Sequence, residues 1–434
     1  MKNGMFRKAA ASAILCALAL SSVACSSSPD GQNTSGTQGD PAELEMWTFL
    51  DPNSPDDPRG AALKQIVEDY NAQSDGITVT VRSINYAKID AEVIKATASG
   101  QGPDILNVYS NQLPMHVAAG TVAPMTQYAQ PVIDELGADL LFPADGVTYD
   151  GEVMAMPWEI RAWLLWYRAD MREAAGVEVP TTLDELGSAA AALSQDGITG
   201  LGIGFSNAGL GADFMEKFIP MTWGNDGEVL TDGQAAFDSE AGVATMDQFQ
   251  AWYEAGAFGD EVLSMGADEV INGVKAGTVA MAIEGSFRVA AARSGDGVGE
   301  NLVTAPMPSA TAGTPLQTPI AGQTLTIGAN AEHPDAAWDF INYYTSPDAQ
   351  AVWAGAGVLP VLGSVYDSEA VASLDNADEL AQWRDYIGEY GRPNPVAEDF
   401  SELSDSLVTG AQEIVFRGAD PGATLTKVAE EYNA

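Results

Sequence analysis

Between residues 44 and 108 the apolar residues alternate between a period of two and a helical period, and this alternation limits the fold more than any other feature. Residues 44–50 read as a strand ending in Trp47, Thr48 and Phe49. An Asp- and Pro-rich loop follows. Leu63, Ile66, Val67 and Tyr70 then fall at i, i+3, i+4 and i+7, one face of a helix. Ile77, Val79 and Val81 alternate as a second strand. Ile89, Val93 and Ile94 mark a second helix that stops at Ser99-Gly100, and Gly102-Pro103-Asp104 leads into a third strand over 105–108. Strand, helix, strand, helix, strand is the signature of a parallel α/β sheet. Ligands of such sheets sit beyond the carboxyl ends of the strands, which points to Thr48, Tyr86, Asn107, Tyr109 and Ser110.

At 434 residues the chain is long enough for two domains. Its 61 acidic residues against 19 basic ones give a formal charge of −42. That excess excludes nucleic acid as a partner, because phosphate binding needs clustered Lys and Arg, and it opposes adsorption to anionic lipid. It suits solubility and mutual repulsion outside the cell, or the capture of a cation such as a polyamine. Residues 1–24 read as a leader: Lys2, Arg7 and Lys8 precede an apolar run over 9–20 too short for an ordinary membrane span. Ser22-Val23-Ala24-Cys25 resembles a bacterial lipobox, in which Cys25 becomes lipidated; the usual residue at position 22 is Leu. The other reading is an ordinary secretory signal cut near Ala24. Cys16 would leave with the leader, so no disulfide is expected. Residues 25–41, rich in Ser, Gly, Asn, Gln and Thr, form a flexible tether.

The stretch from Tyr149 to Arg168 holds Trp158, Trp163 and Trp166 beside Glu159, Arg161 and Arg168, with Pro157 just ahead. Asp150-Gly151 supplies turn chemistry. The unbroken apolar run over 162–167 suits a strand covered on both faces. Aromatic and charged groups at a join between two structural units are what a small-molecule cleft needs, so this stretch is expected to be the first crossing between two lobes. Farther on, Thr182 and Glu185 fit a capping box. Residues 198–211 read as a strand and loop, and Trp223-Gly224-Asn225-Asp226-Gly227 as a tight turn carrying an aromatic. Phe340, Ile341 and Tyr344 share a helix face, and the tail from Ala377 is mostly helical.

The order of these landmarks resembles the family 1 extracellular solute-binding proteins of ABC importers, the maltose-binding-like group, over residue 43 to the C-terminus. Its markers are Trp47-Thr48, Ser99-Gly100-Gln101-Gly102-Pro103-Asp104, Ala119-Gly120, the segment from Tyr149 to Pro157, Tyr167, and Ala174-Ala175-Gly176 with Pro180-Thr181-Thr182. Gly277 with Ala280-Met281, the helix from Pro334 and Ser346-Pro347 complete the set. Arg168, Phe287-Arg288 and Ala321-Gly322 depart from the usual pattern and are expected to alter the cleft chemistry. The resemblance implies a two-lobe α/β fold of periplasmic-binding-protein type II, each lobe a mixed sheet flanked by helices. Residues 42–158 and 324–360 would form the N-terminal lobe, and 159–323 and 361–434 the C-terminal lobe. Crossings are expected near Pro157–Trp163, Pro319–Thr324 and Pro360.

A sugar site needs aromatic plates and planar hydrogen-bonding side chains. The candidates are Trp47, Thr48, Tyr86, Tyr109, Ser110, Trp158, Arg161, Trp223, Asn225, Asp226, Glu284, Phe287 and Gly322. Each tryptophan could instead be core, and Arg161 could simply pair with Glu159. Asp51, Asn53 and Asp56 fail the EF-hand pattern at Pro55 and at the missing Gly. His116 and His333 are far apart, there is no P-loop, and residues 204–208 fail the nucleophile-elbow pattern. No metal, cofactor or catalysis is expected. The expectation is a monomeric, lipid-anchored receptor that takes a carbohydrate, an oligosaccharide, to ABC permease subunits. A polyamine, peptide or phosphorylated sugar in the same fold, or a glycosidase using two carboxylates, are the alternatives.

Overall fold

Asp57 starts the first helix of the N-terminal half: its carboxylate accepts from the Arg59 N–H, and Pro58 occupies the first helical turn, where no N–H is needed. The computed structural model describes residues 41–434 apart from Asp56. The leader, Cys25, the tether as far as residue 40, and Asp56 of the broken calcium loop lie outside the described residues.

Strand β1 (Ala42–Thr48) leads through the Pro58–Gln73 helix to β2 (Ile77–Ser83) and through the Tyr86–Ala98 helix to β3 (Ile105–Tyr109). Leu63, Ile66, Val67 and Tyr70 are the buried face of the first helix, as their spacing predicts. Next come β4 (Val122–Ala123) and a hairpin of β5 (Thr148–Tyr149) and β6 (Glu152–Val153). Asp150 and Gly151 turn that hairpin at φ 53° and 81°, the pair of left-handed residues a two-residue hairpin requires. β7 (Met156–Pro157) closes this half, and β8 (Trp163–Arg168) opens the next.

The second half adds β9 (Thr199–Gly202), the Ala212–Gly224 helix, a second Asp-Gly hairpin of β10 (Leu230–Thr231) and β11 (Gln234–Ala235), and the Glu240–Glu254 helix. β12 (Val279–Gly285), β13 (Leu302–Pro306), β14 (Thr318–Ile320) and β15 (Gln323–Gly328) follow, then the helices Pro334–Tyr344, Pro347–Gly355 and Ala377–Tyr390. β16 (Gly391–Pro393) and the helices Phe400–Arg417 and Pro421–Tyr432 end the chain. Trp223 and Gly224 belong to the last turn of a helix, not to the tight turn expected there. Ten of that helix's thirteen residues are buried, so packing on both sides overrides the turn signal of Gly224 and Asn225.

Two mixed sheets result, and the two-lobe α/β fold expected from the sequence is the one observed. The first has the order β2-β1-β3-β15-β4, with β7 also on β15; β1 to β3 run parallel, while β15 returns antiparallel between β3 and β4. The second has the order β13-β8-β12-β9. β8 is covered on both faces, as its apolar run requires. Leu164 and Trp166 join the core beneath the first sheet and the Pro334–Tyr344 and Pro347–Gly355 helices. Leu165 joins a separate core with the Ala212–Gly224, Glu240–Glu254 and Phe400–Arg417 helices. Arg168 lies at the end of β8 away from Trp163, where it pairs with Asp170 at 2.7 Å and donates to the Val274 carbonyl. It braces the second sheet there and does not shape a cleft at the other end.

Candidate functional site

Three segments run side by side where the chain passes between the sheets. Ile160 N donates to Leu359 O at 3.2 Å, and Arg161 N donates to Ala321 O at 2.9 Å; both contacts are antiparallel bridges. Gly322 lies so close to the first segment that a Cβ would stand 1.8 Å from the Glu159 carbonyl oxygen, so a side chain cannot fit. Ser110, just past the end of β3, is fastened to the same place: its N–H donates to Gly322 O, and the Gly322 N–H donates back to Ser110 Oγ at 3.3 Å.

Above this join Arg161 grips Glu159 with two hydrogen bonds, Nε to Oε1 at 2.7 Å and a terminal nitrogen to Oε2 at 3.0 Å. Both side chains are buried. Burial opposes the Arg161 charge, but the Glu159 carboxylate more than offsets it and holds the guanidinium above its ordinary range. The Arg161 guanidinium also lies 3.8 Å from the centre of the Phe287 ring and 5.0 Å from that of Tyr109. Arg59 and Arg288 reach the same Phe287 ring, at 5.3 and 5.4 Å. Each brings its own acid, Asp57 for Arg59 and Asp268 for Arg288. The ring is thus a shared cation–π hub.

Beside the hub lies a small cavity of about 40 Å³. Tyr86, Asp90, Tyr109, Asn111 and Gln112 line it from the first sheet's side; Met215, Glu216, Ile219, Asn394 and Phe400 are among those that line it from the other. Glu216 joins the two walls. It accepts from Tyr109 Oη at 3.3 Å and from Trp163 Nε1 at 2.9 Å. Burial raises its carboxyl above the ordinary value. Asn111 is 3 % exposed, and its Oδ1 has no partner among the described residues; the same holds for Asn394 Oδ1.

Of the residues singled out from the sequence, Tyr86 and Tyr109 line this cavity, and Ser110, Arg161, Phe287 and Gly322 form the join and hub beside it. The others go elsewhere. Trp47 is buried, its Nε1 on Glu45 at 2.6 Å and Arg82 stacked 4.2 Å from its ring centre. Thr48 accepts from Asn107 Nδ2 at 3.0 Å, and Asn107 Oδ1 accepts from Trp158 Nε1 at 3.3 Å. Trp158 is fully buried, and its ring packs on Trp353 at 4.4 Å and Tyr344 at 5.4 Å. It faces the N-terminal core in this arrangement. Trp223 is covered by Arg392 at 4.6 Å. Asn225 Nδ2 donates to Met221 O and Thr245 Oγ1, and Asp226 takes a left-handed turn conformation at φ 61°.

Glu284 is buried in an ion cluster with Lys217, at 3.3 Å, and Asp213, which also pairs with Lys217. Burial, with Asp213 nearby, pushes the Glu284 carboxyl up to about 8. Sequence reasoning missed Asn111, Met215, Glu216, Asn394 and Phe400. None left a clear local signal: Glu216 shares its helix with Asp213 and Lys217, which are buried in an ion pair of their own. Among the described residues no group of three or more His, Cys, Asp or Glu is placed to hold a metal ion.

Residues 54–351 match the family described as bacterial extracellular solute-binding protein. A binding protein of Brucella abortus is 21 % identical over 380 residues, 86 % of this chain and 90 % of the relative. An ABC transporter-binding protein of Deinococcus radiodurans is 24 % identical over 298 residues, 65 % and 70 % of the two chains. Among solved structures, the GacH receptor of Streptomyces glaucescens, determined unliganded and with acarbose, is similar with a TM-score of 0.76 at 21 % identity, over 90 % of this chain and 97 % of that one. Maltose-bound MalE3 of T. maritima is similar with the same TM-score and identity, over 90 % and 98 %. The two mixed sheets, the join between them and these matches agree: the chain belongs to the bacterial extracellular solute-binding proteins, in the maltose-binding-like family 1.

Proposed function

We propose that this protein is a lipid-anchored receptor on the extracytoplasmic face of the cell membrane. It captures a carbohydrate, an oligosaccharide, between its lobes and delivers it to the permease subunits of an ABC importer. It acts as a monomer, without a cofactor and without chemistry. The lobes are taken as residues 42–158 with 324–360, and 159–323 with 361–434. Cys25 is the lipidated residue, and the tether sets the reach of the receptor from the membrane.

The observation that carries this reading is the cavity walled from both sides of the join, with Glu216 bonded to Tyr109 across it. Only contacts made by both lobes together shift an open–closed balance. Tyr86, Tyr109 and Phe400 offer ring faces; Asn111, Gln112 and Asn394 offer planar amides. At about 40 Å³ the space holds a few waters at most, so a sugar enters when the lobes part. That MalE3 carries maltose and GacH acarbose supports a saccharide.

The test is titration calorimetry of refolded, ligand-stripped protein against neutral and charged saccharides, peptides and polyamines. A saccharide that binds at micromolar strength or better supports the reading. Binding of a polyamine or peptide alone overturns it, and so does steady release of reducing ends from a glycan in proportion to protein. For the anchor, Cys25→Ala should release the protein from cells into the medium.

A further inference from the structure

The cavity is rich in acceptors and short of cations. None of its lining residues is Lys, Arg or His, while two, Asp90 and Glu216, are acids from opposite walls. The cations nearest Glu216 are already engaged: Lys217 by Asp213 and Glu284, and Arg161 by Glu159. Glu216 is left with two neutral donors, the Tyr109 hydroxyl and the Trp163 indole. Asp90 is 3.1 Å from His116 Nε2, which approaches from behind the wall. An independent observation points the same way. Asn111 is buried, and its Oδ1 lacks a partner; across the cavity Asn394 Oδ1 lacks one too.

A buried acceptor without a donor is destabilising, so a ligand is favoured that brings donors. A sugar hydroxyl brings one donor and two lone pairs, which the amides of Asn111, Gln112 and Asn394 can answer but the two carboxylates cannot. An ammonium group brings three donors and no lone pair, and its charge answers two carboxylates. Net charge acts in the same sense, since a formal charge of −42 attracts cations over distance.

We propose that the ligand is a basic saccharide, one that presents a protonated amine between Glu216, Asp90 and the Asn111 side chain. This rests on the saccharide-receptor reading and names the substrate class within it. Glu216 and Asp90 would accept hydrogen bonds from the ammonium, Asn111 Oδ1 a third, and the rings of Tyr86 and Tyr109 would meet the sugar carbons.

The test compares matched ligands by calorimetry on the refolded, ligand-stripped protein. Glucosamine, galactosamine, mannosamine and a β1,4-linked glucosamine tetramer are set against their hydroxyl and N-acetyl counterparts, with spermidine as an amine without a sugar. At least one amino sugar should bind about tenfold or more tighter than both counterparts, the size of a charge-assisted over a neutral hydrogen bond. Glu216→Gln should bring that ratio near one, whatever it does to the affinity for the neutral counterparts. If Glu216→Gln fails to fold, Asp90→Asn serves for the same ratio. Equal or tighter binding of the hydroxyl or N-acetyl forms overturns the amine assignment and leaves the saccharide receptor standing. Binding of spermidine alone overturns both, and binding of no member of the panel overturns the amine assignment.

Discussion

Arg161 holds Glu159, two residues back in the chain, through two hydrogen bonds of 2.7 and 3.0 Å, and lays the back of the same guanidinium on the Phe287 ring at 3.8 Å. The pair sits on the join, so one side chain ties the connecting segment to the turn that follows β12. Removing one partner of a buried pair leaves a stranded charge and costs about 3–5 kcal/mol. Arg161→Met and Glu159→Gln should each lower the unfolding free energy by roughly that amount in urea titrations. The double variant should cost clearly less than the sum of the two. Strict additivity would show that the pair carries no coupling.

Trp158 tests how the core and the site are divided. Its ring is enclosed by Tyr344 and Trp353, so Trp158→Ala should cost about 3–5 kcal/mol of stability through the cavity it leaves. Under conditions where the variant remains folded, affinity for the saccharide should stay within about threefold. A loss of more than tenfold in affinity with little change in melting temperature would place the ring on the ligand.

Gly322→Ala puts a methyl group against the Glu159 carbonyl, backbone against backbone. Neither side can move without breaking the bonds that Ser110 and Ala321 make at the same place. We expect a loss of about 1–3 kcal/mol or more, read as a lower urea midpoint. A variant as stable as the parent would mean that the segments are not pressed together.

The Glu284 carboxyl has a stated pH signature. Burial first, and Asp213 second, raise it from its usual value near 4.5 to about 8. The folded protein therefore keeps a proton that the unfolded chain gives up, and this group's contribution to stability falls as pH rises from about 4.5 through 8. Glu284→Gln removes that titration. Between pH 5 and pH 8 the parent should lose more stability than the variant in chemical denaturation. Parallel loss in both would show that Glu284 is ionised throughout.

Tyr109→Phe deletes the hydroxyl that reaches Glu216 from the opposite wall. The rest of the ring stays. The ligand-free protein should become more open, seen as a larger radius of gyration by small-angle scattering, and ligand should dissociate faster. An unchanged radius would mean that other contacts set the balance.

The strand-and-helix alternation over the first seventy folded residues was readable because each element there obeys its own period and is capped locally, at Asp57 and at Asn85. The strand-end rule then led to Tyr86 and Tyr109. It gave only one wall. The other wall comes from the Ala212–Gly224 and Phe400–Arg417 helices, more than a hundred residues away in sequence, and no local pattern says which helix faces which strand end. The tryptophans misled for a different reason. Trp47, Trp158 and Trp223 each combine a large apolar body with a turn or strand end, and sequence cannot say whether a protein group or a ligand covers the ring. Arg82, Trp353 and Arg392 do so here.

The position of β15 has a consequence for how the chain is made. It fills the place between β3 and β4, yet it lies about 165 residues after β7 in sequence. On a ribosome adding about 5–20 residues per second, the first sheet therefore waits on the order of 10–30 s with a central gap. During that time β3 and β4 expose edges with no neighbour. The strands of the second sheet, β8, β9, β12 and β13, all emerge within that interval. The half that is made first therefore stays incomplete until every strand of the second sheet has been made.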